Sequence, residues 1–354
     1  MKLFIFVGLL PRLNSYAISA SSFKLKQFPL NRRCSSKACI ISSIEIIWND
    51  KNDVKLHEAY LTVSSYLELH EIPEADISAR MMVCDVTNVG YRMSDFNNNQ
   101  ELKLSNEQLA QLSTQCTSRR NRTPLQYVIG NWDFYGFTVS CKPPVLIPRP
   151  ETEELVENIL KVGVLTKDGL KPRILDVGAG TGVIGIALLS QIAGANCDAL
   201  DVNEVAVKLA NDNAASVLGK DQQRYRCTLK SFLDFVESGH GAQRYDMIVS
   251  NPPYIPSRDI PGLEPEVVKY EDIVALDGGL DGLDMVRDLI LNSHKLLNPQ
   301  GPRELWIEVS NEHPSVIEEW MQTPGPHSEY FDFIEGITDF AGNPRFVRLR
   351  AKIL

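Results

Sequence analysis

The chain lacks any C-x-x-C pair. Its seven cysteines, at 34, 39, 84, 116, 141, 197 and 227, have no matching histidine spacing, and the six histidines fall in no motif. That pattern excludes a zinc site of ordinary ligand spacing and offers no disulfide framework, so neither metal nor disulfide is expected. Positive charge is short as well: 36 Lys and Arg stand against 45 Asp and Glu, a formal net charge of −9. A surface built throughout to grip phosphate backbones is thereby excluded, and direct nucleic-acid binding is not expected. Arg119, Arg120 and Arg122 read as solvated linker charges, and no membrane contact is expected either. Acid is absent altogether from residues 1–44, which carry seven Lys or Arg and eight Ser before the first acid, Glu45. Such a composition is that of a mitochondrial or plastid transit peptide. A secretory signal would have to use the apolar run Leu3 to Leu10, which is short and is interrupted by Pro11-Arg12. Residues 1–44 are therefore expected to be a presequence and the protein to reside in the mitochondrial matrix.

What is present suffices for one large core and a small accessory domain: 354 residues, 44% of them hydrophobic. Apolar residues recur at helical spacing over His57–Leu67, Ile77–Val86 and Asn106–Cys116, with Pro73, Gly90 and Asn97-Asn98-Asn99 as breaks. This predicts a small helical domain over 45–123. Tyr127 to Val139 is rich in aromatic and β-branched residues, with Asn131 and Gly136 as turn candidates, and predicts a β-hairpin linker over 124–147. From 148 to 354 strands and helices alternate. Strands are expected at 173–177, 197–201, 225–229, 246–250 and 305–309, and helices at Val183–Gln191, Glu204–Leu218 and Asp284–Leu297. Two later segments, Phe331–Ile334 and Phe346–Arg350, look like a closing antiparallel pair. The pattern is that of an α/β, doubly wound sheet.

Two segments of that last region carry chemistry. Arg173-Ile-Leu-Asp-Val-Gly-Ala-Gly-Thr-Gly182 is an apolar strand running into a glycine turn and then a helix, the cradle that nucleotides use. Asp201 ends the next strand, where a carboxylate can accept both ribose hydroxyls; an N-cap for the helix beginning at Glu204 is the other use for it. Gly180, Gly182 and Gly185 also spell the dinucleotide pattern G-x-G-x-x-G, but they do so two residues late, with Gly185 already inside the helix and better read as close packing on the sheet. The second segment is Asn251-Pro252-Pro253-Tyr254, directly after a short apolar strand. An Asn side-chain oxygen followed by a prolyl carbonyl gives two acceptors for the hydrogens of a planar NH2 group. As a bare string it is also an ordinary turn.

Glycine turn, Asp201 and Asn-Pro-Pro-Tyr, in this order and spacing, resemble class I S-adenosylmethionine-dependent methyltransferases. Pro124-Leu-Gln-Tyr-Val-Ile-Gly130, Asp133-Phe-Tyr-Gly136, Ile147-Pro-Arg-Pro-Glu-Thr-Glu153 and Ala275-Leu-Asp-Gly-Gly-Leu-Asp-Gly-Leu-Asp284 narrow the resemblance to the HemK family, the protein N5-glutamine methyltransferases of peptide chain release factors. The chain departs from the family pattern at Gly301-Pro302 and at Ser310-Asn311-Glu312. The resemblance implies S-adenosyl-L-methionine as cofactor, held by Gly178, Ala179, Gly180, Thr181, Gly182, Asp201, Phe232 and Asn251. It implies a glutamine amide bound by Asn251, Pro252, Pro253 and Tyr254, with Asn251, Pro252 and Tyr254 catalytic. For Phe232, placed by the family beside the adenine, core packing is an equal alternative, and for Pro148 to Glu153 the alternatives are a cover over the cofactor end or a plain helix start. The substrate implied is the Gly-Gly-Gln loop of a mitochondrial release factor, with the helical domain either docking it or merely stabilising the fold. Two rivals stand beside this reading: a nucleic-acid amino-group methyltransferase, since adenine and guanine amino groups fit the same acceptors, and a binding module that keeps the cofactor fold without turnover.

Overall fold

A computed structural model describes residues 53–166, 171–238 and 244–353; the expected presequence lies outside them. The described residues divide into two compact units, one up to Thr117 and one from Ser118. The first is helical, as its periodicity predicts: α1 (Leu56–Leu69), α2 (Ala75–Thr87), α3 (Met93–Asn98) and α4 (Asn106–Arg120), the last running on into the second unit. Leu56, Ala59, Val63 and Leu67 form one buried stripe of α1, and Ala79, Met82, Val83 and Val86 one of α2. The Glu58 carboxylate accepts the Lys55 backbone N–H at the start of α1 (3.3 Å), and Asn88, at φ 56°, ends α2 in the left-handed region that Asn tolerates. Gln115 of α4 donates to Asp85 of α2 at 2.7 Å.

The linker differs in part from the hairpin expected at Tyr127–Val139. Leu125–Ile129 is a short helix, α5, that begins after Pro124 and stops at Gly130, whose φ of 77° suits a helix C-terminus. Proline before and glycine after override the β propensity of Tyr127, Val128 and Ile129. The hairpin proper is β1 (Asn131–Phe134) and β2 (Phe137–Ser140), turning at Tyr135-Gly136, so Asn131 opens a strand rather than a turn.

The larger unit follows the predicted alternation: α6 (Pro150–Val162), β3 (Arg173–Val177), α7 (Val183–Gln191), β4 (Asn196–Asp201), α8 (Glu204–Leu218), β5 (Tyr225–Leu229), α9 (Phe232–Glu237), β6 (Met247–Ser250), α10 (Pro265–Tyr270), α11 (Asp284–Asn292), β7 (Glu304–Glu308), α12 (His313–Gln322), α13 (Pro326–Tyr330), β8 (Phe331–Thr338) and β9 (Pro344–Ala351). The helix expected to reach Leu297 ends at Asn292 and tightens into a 3₁₀ turn over Ser293–Lys295. The sheet order is β5-β4-β3-β6-β7-β9-β8, parallel from β5 to β7, with β9 antiparallel to both its neighbours. Successive strand residues serve opposite faces. Ile174, Ala199, Met247, Val249 and Trp306 pack with α6, α7 and α8, whereas Leu175, Val177, Ile248, Leu305 and Ile307 pack with α9, α11 and α12. Burial on both faces is why these strands read as continuous apolar runs. Cys84, Cys116, Cys141, Cys197 and Cys227 are buried free thiols, and no helix among the described residues is long and apolar enough to cross a membrane.

The antiparallel strand is fastened by charge. Glu304, fully buried at the start of β7, accepts from Arg348 Nε at 2.7 Å and from Arg350 Nη2 at 2.9 Å, both on β9. Removing one member of a buried ion pair leaves its partners uncompensated, a loss of about 3–5 kcal/mol. Glu304→Ala is therefore expected to cut the free energy of unfolding by about that amount in a urea titration; a change no larger than that of an exposed Glu→Ala control would contradict the account.

Candidate functional site

The site is assembled where β3 and β6 end side by side. Their register pairs Asp176 with Val249 and Val177 with Ser250, and the Ser250 hydroxyl donates to the Val177 carbonyl at 2.7 Å. The glycine turn and Asn251 are thus launched from adjacent positions at the carboxyl edge of the sheet. Chain order reverses here, from β3 outward to β4 and β5 and then back across to β6, and such a switch point opens a crevice.

The turn is shaped by backbone that only glycine adopts freely. Gly178, Gly180 and Gly182 have φ of 76°, 56° and 84°. A Cβ on Gly180 would meet nothing within 4 Å, whereas one on Gly182 would strike the Tyr225 hydroxyl at 2.9 Å and Ala210 at 3.1 Å. Gly178 and Ala179 donate to the Leu200 carbonyl, and Thr181 is buried. Gly185 lies inside α7, where a Cβ would fall 2.8 Å from both Cys197 Sγ and Tyr225. It is a packing glycine, as its sequence position suggests, and the dinucleotide pattern has no structural counterpart.

Asp201 is not the helix cap. That role belongs to Asn203, whose Oδ1 accepts from the Val205 and Ala206 N–H groups. Asp201 instead accepts from Gly180 N at 2.8 Å through Oδ2 and from Asn203 N at 2.8 Å through Oδ1, while burial raises its pKa against those bonds. A carboxylate has about four lone-pair sites, so acceptor capacity remains for a diol. Beneath the turn, Asp176 is fully buried; its Oδ2 accepts from Gly185 N at 3.1 Å and its Oδ1 has no partner. Two acidic groups and an open glycine turn at a helix N-terminus fit a ribose and a cationic amino-acid tail. Phe232, the first residue of α9, is 3% exposed and lies in the apolar cluster with Val177, Leu200 and Phe235, the packing use left open for it.

Asn251 is half-buried and Pro252 buried; Pro253 and Tyr254 are half-buried. Asn251 Nδ2 donates to Thr152 Oγ1 at 3.1 Å, Thr152 Oγ1 donates to Glu308 Oε2 at 2.9 Å, and the Tyr254 hydroxyl donates to Glu308 Oε1 at 3.4 Å. Thr152 and Glu308 are both buried. Burial pushes the Glu308 carboxyl up to about 7, against the pull of the Thr152 hydroxyl and of Arg345. Burial and the Glu308 charge also raise the Tyr254 phenol, which stays a donor. The stretch from Ala275 to Asp284 braces the tetrapeptide from behind: Gly278 N donates to the Ile255 carbonyl, and a Cβ on Gly282 would lie 2.3 Å from the Tyr254 carbonyl oxygen.

Thr152, Glu308, Asp176 and Asn213 belong to this arrangement but were not singled out from sequence. Thr152 falls within Pro148 to Glu153, where Arg149 pairs with Glu271 at 2.7 Å and Pro150 begins α6. Asn213 of α8 accepts from the Ser140 N–H at 2.9 Å and donates to the carbonyls of Ser140 and Thr181 at 3.2 and 3.0 Å, joining hairpin to glycine turn. The available signal for Glu308 and Asp176 was a carboxylate inside an otherwise apolar strand.

Residues 152–262 match the family model of the methyltransferase small domain, and residues 58–130 that of the PrmC N-terminal domain. The chain is 35% identical over 252 residues to the MTRF1L release factor glutamine methyltransferase of Homo sapiens, spanning 70% of this chain and 73% of that protein. It is 37% identical over 206 residues to a release factor glutamine methyltransferase of Geobacter sulfurreducens, spanning 58% and 66%. With the protein of that description from Agrobacterium fabrum it shares 28% identity over 301 residues, spanning 84% of this chain and 98% of the other.

Burial first of all, with Asp201 adding to it and the Gly185 N–H opposing, pushes Asp176 from 3.8 up to about 7. A carboxyl whose pKa is raised on folding costs stability as pH climbs from its unfolded value to its folded one, here between about 4 and about 7, with an upper bound of about 4 kcal/mol. In cofactor-free protein, Asp176→Asn is expected to melt above wild type at pH 8, the gap narrowing at pH 5. Equal melting points at pH 8 would refute the assignment.

Proposed function

Because the chain belongs to the family of release factor glutamine methyltransferases, and so transfers a methyl group from S-adenosylmethionine to a glutamine of a peptide chain release factor, we propose that Asn251, Pro252 and Tyr254 hold that glutamine's amide beside the glycine turn. The observation that carries this reading is the pairing of Val177 with Ser250, which sets the tetrapeptide next to Gly178: a Cβ on that glycine would stand 3.8 Å from the Asn251 carbonyl oxygen. The acceptor is the glutamine of the Gly-Gly-Gln loop. Gly178, Ala179, Gly180, Thr181, Gly182 and Asp201 hold the cofactor, Asp201 by accepting from the ribose hydroxyls, and Phe232 backs the adenine from the core.

S-adenosylmethionine supplies an electrophilic methyl group. An amide nitrogen is a poor nucleophile because its lone pair is delocalised into the carbonyl. Asn251 Oδ1 and the Pro252 carbonyl accept the two N–H bonds, and those bonds strengthen as positive charge develops on nitrogen. No strong base is required, because the methylated amide nitrogen is strongly acidic and loses its extra proton to solvent; placement of the nitrogen carries the rate. Tyr254 packs against the flat amide, with Pro253 shaping the wall, and excludes water. The helical unit docks the protein substrate, a reading supported by its match to the PrmC N-terminal domain. The acid-free, basic, Ser-rich residues 1–44 support import into the mitochondrial matrix, where the release factor would also reside. The nucleic-acid reading is not favoured, since the relatives are named for release factors and the net charge is −9; nor is the reading without turnover.

Asn251→Ala is expected to lower turnover by about 100- to 1000-fold, the usual cost of deleting a group that meets developing charge, while cofactor affinity falls much less. The assay is transfer of labelled methyl to a mitochondrial release factor, with its Gln→Ala loop variant and nucleic acid as parallel acceptors. Label on nucleic acid, or near-normal turnover by folded Asn251→Ala, would overturn the substrate or the site respectively.

A further inference from the structure

An asparagine side chain is nearly symmetrical in shape but opposite in polarity at its two ends. If Asn251 is to accept from a substrate NH2, its oxygen must face the substrate and its own NH2 must be held elsewhere. Nothing in the Asn-Pro-Pro-Tyr string secures that choice. The surroundings do.

Thr152 Oγ1 stands between Asn251 Nδ2 at 3.1 Å and Glu308 Oε2 at 2.9 Å. A hydroxyl has one hydrogen to give. Above about pH 7 Glu308 is ionised and only accepts, so there the Thr152 hydrogen goes to Glu308, and the remaining lone pairs of Oγ1 face Asn251 and demand a donor. The only donor on that side chain is its NH2 group. The other Glu308 oxygen is approached by the Tyr254 hydroxyl, again a donor, so the carboxylate receives one hydrogen on each oxygen and polarity runs one way from Asn251 to Glu308. The three residues lie on different elements: Asn251 after β6, Thr152 in the first turn of α6, Glu308 at the end of β7. Glu308 is fully buried and Thr152 is 3% exposed, which keeps water from substituting for either. Arg345 lies close enough to favour the charged form of Glu308.

We propose that Thr152 and Glu308 are positioning residues that fix the rotamer of Asn251, so that its Oδ1 faces the glutamine amide. This rests on the reading of Asn251 as the amide's acceptor. Thr152 does not touch substrate. Its loss leaves Asn251 in place but free to present either end, and an NH2 turned to an NH2 repels.

The test compares Thr152→Val, Thr152→Ser and Asn251→Ala in the full chain at pH 8, where Glu308 is ionised, using the release factor as acceptor. Thr152→Val keeps the shape and removes the acceptor; it is expected to lower kcat by about 10- to 100-fold, the scale of a misplaced reacting group, with S-adenosylmethionine affinity by calorimetry within about 3-fold of wild type. Thr152→Ser restores the hydroxyl and is expected to recover kcat to within about 3-fold. In the Asn251→Ala background Thr152→Val is expected to have no further effect, because the group it orients is gone. Thr152→Ala, which adds no apolar methyl beside Glu308, repeats the comparison if the valine variant melts early. A folded Thr152→Val or Thr152→Ala with kcat near wild type, a serine variant no better than valine, or multiplicative loss in the double variant would each overturn the proposal. Near-normal turnover by Asn251→Ala would instead remove the reading beneath it, so the two failures are distinguishable.

Discussion

The parallel pairing of β3 with β6 is the constraint on which the rest hangs. Paired residues of the two strands lie 73 positions apart in the chain, yet their ladder is in register to the last residue, and Ser250 ties that last step to Val177. Shift it by one residue and every side chain of β6 changes face: Met247 and Val249 would leave the α6, α7 and α8 side, and Ile248 would leave the other. The double-sided burial that makes these strands stable is therefore the same thing that sets the glycine turn against Asn251. Site geometry is inherited from core packing, not added to it.

Around that ladder the polar groups are placed by elements from far along the chain. Asn203 caps α8 through Oδ1 and uses its Nδ2 to reach Asp272 at 2.7 Å, while its backbone N–H helps hold Asp201. Asn213 binds the hairpin strand and the glycine turn at once. Arg119 and Arg122, expected as solvated linker charges, instead close on the buried Glu266 of α10 at 3.0 and 2.7 Å. Each of these is a buried or half-buried polar contact with its partner supplied, which is the condition for keeping such groups out of water.

How much of this could be read from the string follows from where each signal resides. The glycine turn was legible because positive φ at Gly178, Gly180 and Gly182 is a local demand that only one residue type meets cheaply. The strands were legible because burial on two faces leaves apolar runs, and α7 and α8 begin and end where the sequence suggests. Tyr127 to Ile129 is helix where β propensity points to strand, because Pro124 before it and Gly130 after it set a helix start and stop that the propensity of the three residues does not reveal. For Asp201 the string allows a ribose or a cap, and the fold gives the cap to Asn203. Thr152 and Glu308 were illegible for a different reason: they meet across 156 positions, and one sequence carries no trace of a contact made only by folding.

The place of β9 has a consequence for how the protein is made. Of the seven strands of the main sheet it is the last in the chain, yet it lies inside the sheet, between β7 and β8. In a chain that folds from its amino end β8 therefore precedes the neighbour it joins, and β7 keeps an unpaired edge, with Glu304 unanswered, until Arg348 and Arg350 have followed. An open edge strand is a template for foreign chains. A chain cut short between β7 and β9 would thus carry an open sheet edge, with the buried Glu304 left without its arginines.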